Sequence, residues 1–243
     1  MPFTFCHPAI VLPFNRIKSL SLTGLIAGSV APDFEYFIRM ADKRVYTHTW
    51  SGVLWIDTPL ALVLTFLFHN VVRNHLINNA PVSFQRRLKR YIDFNWFSYF
   101  KKRWPIVIIC AVMGIYSHLI WDAFTHESGY FVQHLPFLLA SVPVGSFRLE
   151  VPMLLQVLSS IFGALVIYFA LWQLPVDTNT IINPNYLHFW KKVWLITILI
   201  FSIRFFFGVS YEIEDVVIPA FSAFLAALVV TSIFQEKQQT FIK

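Results

Sequence analysis

The stretch WPIVIICAVMGIYSHLIWDAFTH, residues 104–126, decides the fold. Its apolar part, about 105–124, has the roughly 20 residues that a bilayer-crossing helix needs. Inside lipid every backbone group must be bonded within the segment, so the run is a helix. Yet its end carries His118, Asp122 and His126 at intervals of four. That spacing puts the three side chains on one helix face. Ionisable groups in a membrane segment are costly, and they mark function by default.

The rest of the chain agrees with a membrane setting. Of its 243 residues, 57% are hydrophobic and only 13% charged, against about a quarter charged in soluble domains. Four more stretches are long and apolar enough to span: 52–72, 154–174, 192–209 and 216–234. A sixth, 20–38, is interrupted by Pro32 and Asp33. It reads either as a crossing helix or as a half-helix, with Gly24 and Gly28 spaced for close helix packing. The expected fold is all-α: a polytopic bundle of about five to six membrane helices forming a single membrane domain over 1–243.

Charge sets the expected topology. The net charge is +6, and the basic residues gather in 73–104, which places that connector in the cytoplasm and removes any need for a nucleic-acid partner. Within it, Phe84, Leu88, Tyr91, Ile92, Trp96 and Tyr99 recur at helical spacing beside Arg86, Arg87, Lys89 and Arg90. This predicts one amphipathic helix lying on anionic lipid. The acidic stretch 210–215 and residues 125–153 are expected outside. Cys6 and Cys110 suggest neither a disulfide nor a compartment, and the N-terminus shows no removable signal peptide.

His118 and Asp122 have the spacing by which a helix offers two metal ligands. Asp33 in VAPDFEY and His48 in YTHTW come to the same outer end by this topology. Two imidazoles and two carboxylates suit zinc, with manganese or iron(II) close behind. His7 joins them only if 20–38 is a half-helix. His126 lies about 12 Å along the helix from His118, which leaves it a neighbouring or substrate-contacting role. Asp33 or Glu35, with Glu127 as second choice, can take a proton, and Arg204 can hold a phosphate or snorkel to the interface. His69, His75 and His188 read as interfacial residues; His134 is a weak outer candidate.

HPA, APDFEY, THTWSG and SHLIWDAFTHESGY, in that order, resemble a bacterial integral-membrane family of unknown function whose members begin MPFTxxHPAxxLP. That family is similar to predicted membrane-bound metal-dependent hydrolases and, more distantly, to the all-helical zinc-dependent phospholipase C group. The resemblance implies His7, Asp33, His48, His118 and Asp122 as metal ligands. Two departures stand out: Phe34 and Glu35 replace an expected second aspartate, and Val157 stands where relatives carry a histidine. The implied activity is hydrolysis of a phospho- or ester-linked lipid or envelope substrate in the bacterial inner membrane. The alternatives are an ion-handling or transport protein and a non-catalytic structural or assembly protein.

Overall fold

The computed structural model describes residues 3–145, 147–208 and 213–240. The chain is an integral membrane protein built from helices, with one small hairpin. It comprises two compact units, one of residues 1–33, 46–63 and 100–171, the other of 34–45, 64–99 and 172–243.

The helices are α1 (Leu22–Val30), α2 (Phe34–Arg39), α3 (Val53–Asn78), α4 (Val82–Leu88), α5 (Trp96–Thr125), α6 (Tyr130–His134), α7 (Val151–Trp172), α8 (Tyr186–Phe206) and α9 (Ile213–Thr240). Among the described residues, four segments are long and apolar enough to cross a membrane: Val53–Asn78, Trp96–His134, Val151–Trp172 and Ile213–Gln235. The expected 192–209 stretch is helical too, as α8, but it includes Lys191, Lys192 and Arg204 and is not among the four. A hairpin of β1 (Ser141–Val144) and β2 (Phe147–Glu150) lies within residues 125–153, for which the sequence named no element.

In the first unit α1 is the half-helix rather than a span. Ser21 caps it by accepting from Gly24 N–H at 3.3 Å, and after nine residues it passes into a tight turn, Ala31–Asp33. Nine residues reach about 13.5 Å, less than half a hydrocarbon core. What anchors α1 is close backbone approach to α5. A Cβ on Gly28 would stand 2.0 Å from the Ala111 carbonyl oxygen, and one on Gly114 2.2 Å from that of Leu25. Small residues permit such contact between membrane helices. α5 itself is kinked at Arg103 (φ −133°, ψ 19°), where Pro105 removes a backbone donor and crowds the preceding turn.

The N-terminal turns are fastened to α7. Phe3 N–H donates to Ser160 Oγ at 2.9 Å and the Cys6 thiol to Ser160 O at 2.9 Å. Both cysteines are free and buried.

In the second unit α8 and α9 pack around Val72, Phe189, Val193, Ala227 and Leu228. The basic connector departs from expectation. It forms α4 and a 3-10 turn, Lys89–Tyr91, instead of one amphipathic helix. Three bonds explain the break. Arg73 donates to the carbonyls of Ile92 and Phe94, both at 2.7 Å, and Asn95 Oδ1 accepts from Ser98 N–H at 2.9 Å, starting α5 afresh. Trp96, expected on the lipid-facing side, is buried and stacks on His69.

Candidate metal centre

The close approach of α1 to α5 sets two ligands directly. It brings Ser29 O within 2.9 Å of His118 Nδ1 and carries Asp33, at the end of the following turn, to His118 Nε2 at 3.5 Å. His48 arrives by a separate device. Thr49 caps the next helix by accepting from Gly52 N–H at 2.9 Å, and His48 just before it holds a left-handed backbone, φ 60°. Such a conformation is strained for a residue with a Cβ, and it concentrates at functional sites.

Asp33, His48, His118 and Asp122 each offer one ligand atom, and these atoms all lie within 4.8 Å of one another. His48 Nε2 and His118 Nε2 are 3.2 Å apart. Both stand 3.3 Å from Asp122 Oδ2, and 3.7 and 3.5 Å from Asp33 Oδ1. Four donors around a cation at 2.0–2.2 Å in tetrahedral array would be about 3.4 Å apart. The five separations that involve a histidine nitrogen, 3.2 to 3.7 Å, are close to that edge length.

The hydrogen-bond roles fit a cation as well. The Ser29 carbonyl can only accept, so His118 Nδ1 carries the proton in the neutral ring and Nε2 is left with its lone pair. His48 Nδ1 has Thr47 Oγ1 at 3.3 Å for the same purpose. When both neutral rings carry the proton on Nδ1, two ring lone pairs and two carboxylate oxygens converge with no hydrogen between them. A cation, or protons on the rings, satisfies that arrangement. The cluster can hold a metal ion. His7, Asp33, His118 and Asp122 are buried, and His48 is the most open, its side chain 11% exposed.

His7 lies against this set. Its Nε2 is 3.3 Å from Asp122 Oδ1, its ring stacks on His118 at 4.0 Å, and its Nδ1 meets Thr4 O at 3.1 Å. His126 Nδ1 stands 3.5 Å from the same Asp122 Oδ1 and 3.3 Å from Asp122 O. Asp122 thus turns one oxygen to the four-residue cluster and the other to His7 and His126.

Other candidates have different employment. Glu35 Oε1 accepts from Arg39 Nε at 2.8 Å and from Val45 N–H at 3.0 Å. Arg204 donates to Gly208 O at 2.7 Å, closing the end of α8. Glu127 shares a hydrogen bond with the exposed Glu150, which pushes the Glu150 carboxyl up. His134 stacks on Tyr130 and bonds its carbonyl, and His69 bonds Arg73.

Sequence reading missed Thr4. Buried in the N-terminal turn, it donates from Oγ1 to Asp33 Oδ2 at 2.6 Å while its carbonyl accepts from His7. This leaves Asp33 Oδ1 for the cluster. Burial alone would push the Asp33 carboxyl up, but a protonated His118 ring, the state that satisfies the cluster without a cation, holds it below the ordinary carboxylate value. The opening MPFTxxHPAxxLP includes this threonine, but nothing in that pattern says that it meets an aspartate 29 residues further on.

The sequence profile of a domain of unknown function (DUF4184) matches residues 1–233, and the chain belongs to that family. No curated protein matches the chain. No solved structure matches it.

Proposed function

We propose that this family member holds a divalent cation, zinc before manganese or iron, and hydrolyses an ester or phosphoester bond of a membrane lipid or envelope substrate. The observation that supports this most is the convergence of one ligand atom from each of Asp33, His48, His118 and Asp122 within 4.8 Å of one another. A cation there would supply an acidified water and polarise the scissile oxygen.

The chain's own groups divide the remaining work. Asp33, His48, His118 and Asp122 bind. Thr4 and the Ser29 carbonyl orient Asp33 and His118, as partners behind metal ligands generally do. His7 and His126, both facing Asp122 Oδ1, are placed to hold or pass a proton beside the cluster. His126 is the more open of the two, its side chain 16% exposed against 1% for His7, which favours it for contact with substrate. The charge of the basic connector 73–104 supports, by the positive-inside rule, a centre toward the outer face of a bacterial inner membrane.

The test is metal analysis of protein purified in detergent, paired with release of phosphate, headgroup or fatty acid from defined lipids. About one metal per chain, with hydrolysis lost in Asp122→Asn, is the expected result. Metal-free wild-type protein that stays metal-free after incubation with zinc or manganese overturns the reading. The burial of three of the four ligands favours a second reading, a cation that clamps the N-terminal turns to α5 without turnover. Stoichiometric metal with no hydrolysis of any lipid tested selects it.

A further inference from the structure

The metal cluster accounts for none of the polar groups in a second place, a cleft between α8 and α9. Its volume is about 250 Å³, and it is lined by Lys192, Leu195, Ile196, Thr231, Phe234 and Gln235. Three features of this lining point to one class of ligand.

Thr231 is 3% exposed, and its hydroxyl has no hydrogen-bond partner among the described residues. Nothing about a helix requires that. Thr197, Ser222 and Ser232, on the same two helices, each return their hydroxyl to the carbonyl four residues earlier, at 2.8 Å. Thr231 leaves that bond unmade and lines the cleft instead. Gln235 Oε1, at the next turn, is likewise buried without a partner. Buried polar groups are almost always satisfied, and an exception calls for a group from outside.

Lys192 brings positive charge to the same cleft and makes no ion pair among the described residues. Lys192 and Thr231 together donate to an oxyanion, while Gln235 Oε1 requires a donor. The remaining walls are apolar and open: Leu195 is 68% and Phe234 64% exposed. Lysine, hydroxyl and amide beside exposed aliphatic and aromatic surface match a phosphate with an acyl chain leaving along the helices. Basic pockets between membrane helices take lipid headgroups in this way. The volume is below the roughly 300–1,000 Å³ of a pocket that encloses a whole drug-sized ligand, so it accommodates a headgroup and leaves the chains in the bilayer.

We propose that the α8–α9 cleft binds the headgroup of a glycerophospholipid, its phosphate on Lys192 and Thr231 and a hydroxyl or ammonium of the headgroup on Gln235. Phosphatidylglycerol and phosphatidylethanolamine carry both parts; phosphatidylcholine has the phosphate but no headgroup donor.

The experiment is native mass spectrometry of the delipidated full chain, titrated with phosphatidylglycerol, with phosphatidylcholine and with inorganic phosphate. One phosphatidylglycerol per chain should be retained, and Lys192→Gln and Thr231→Val should each weaken it by about tenfold, the scale of a lost hydrogen bond to a charged group. Thr231→Ser keeps the hydroxyl and should bind as the wild type does, which separates loss of the hydroxyl from disturbed helix packing. Ser222→Ala, whose hydroxyl is spent inside α9, should also be without effect. Equal retention of both lipids with no response to Lys192→Gln or Thr231→Val would mean annular lipid only and overturn the proposal. Inorganic phosphate displacing the lipid at equal concentration would make the ligand free phosphate and overturn it too.

Discussion

His118 Nε2 and His48 Nε2 face each other at 3.2 Å, one from the last two turns of α5 and the other from a loop residue with a left-handed backbone. With the ring protons on the far nitrogens, where Ser29 O and Thr47 Oγ1 can accept them, the near nitrogens meet as two acceptors. A cation between them relieves the repulsion. Removing that cation should therefore cost stability as well as activity.

Chelation tests this directly. A ligand that binds only the folded state adds about 2.7 kcal/mol when present at a hundred times its Kd. Treatment with a strong chelator should lower the thermal midpoint in detergent, and added zinc or manganese should restore it. The same treatment of His118→Ala should change nothing. A midpoint indifferent to chelator in the wild type would count against a bound cation.

Thr4 should tune the centre without touching the cation. Its hydroxyl holds Asp33 Oδ2 at 2.6 Å, and loss of such a partner typically weakens metal binding by about 10–100-fold. Thr4→Val should show that loss in competition against a chromophoric chelator, and Thr4→Ser should restore affinity to near the wild-type value. Equal affinity in Thr4→Val and wild type would assign the hydroxyl a packing role alone.

The helix contact behind the site is equally open to test. A methyl on Gly28 would meet the Ala111 carbonyl at 2.0 Å, and a backbone oxygen cannot swing aside. Gly28→Ala should cost about 1–3 kcal/mol, as overpacking does. It should also weaken metal binding, because Ser29 and Asp33 move with α1. Metal affinity unchanged by Gly28→Ala would separate the packing of α1 from the assembly of the centre.

In the basic connector, Arg73 is the residue to change. It is buried, and its guanidinium forks onto the carbonyls of Ile92 and Phe94. Lysine cannot reproduce a fork. Arg73→Lys should lower the thermal midpoint by an amount worth about 1–3 kcal/mol, the cost of buried acceptors left unsatisfied. A midpoint equal to the wild type would show that water replaces those bonds.

Much of this was legible in the sequence where a period carried it. The apolar run before His118 and the four-residue spacing to Asp122 follow from helix geometry, and α5 realises both. Asp33 and His48 were legible as ionisable residues with no place in an apolar fold. His7 depended on whether 20–38 crosses, and the nine-residue α1 answers that. What escaped has no period. The 84–99 pattern looked like one helix because apolar spacing cannot show that Arg73 claims two carbonyls inside it or that Asn95 begins a new helix there. The bonds of Phe3 and Cys6 to Ser160 span more than 150 residues, beyond the reach of any local pattern.

The same long reach bears on how the protein is made. His7 meets Asp122 across 115 residues, and Ser29 meets His118 across 89. A ribosome that has delivered α1 has delivered Asp33 and none of the α5 residues that face it. Until α5 is inserted, that carboxylate has Thr4 and at most His48 to answer it, and a charge so poorly matched is costly in lipid. The donor set of the proposed centre is therefore complete only once residue 122 has been made, and the early chain is expected to stay near the bilayer surface until then.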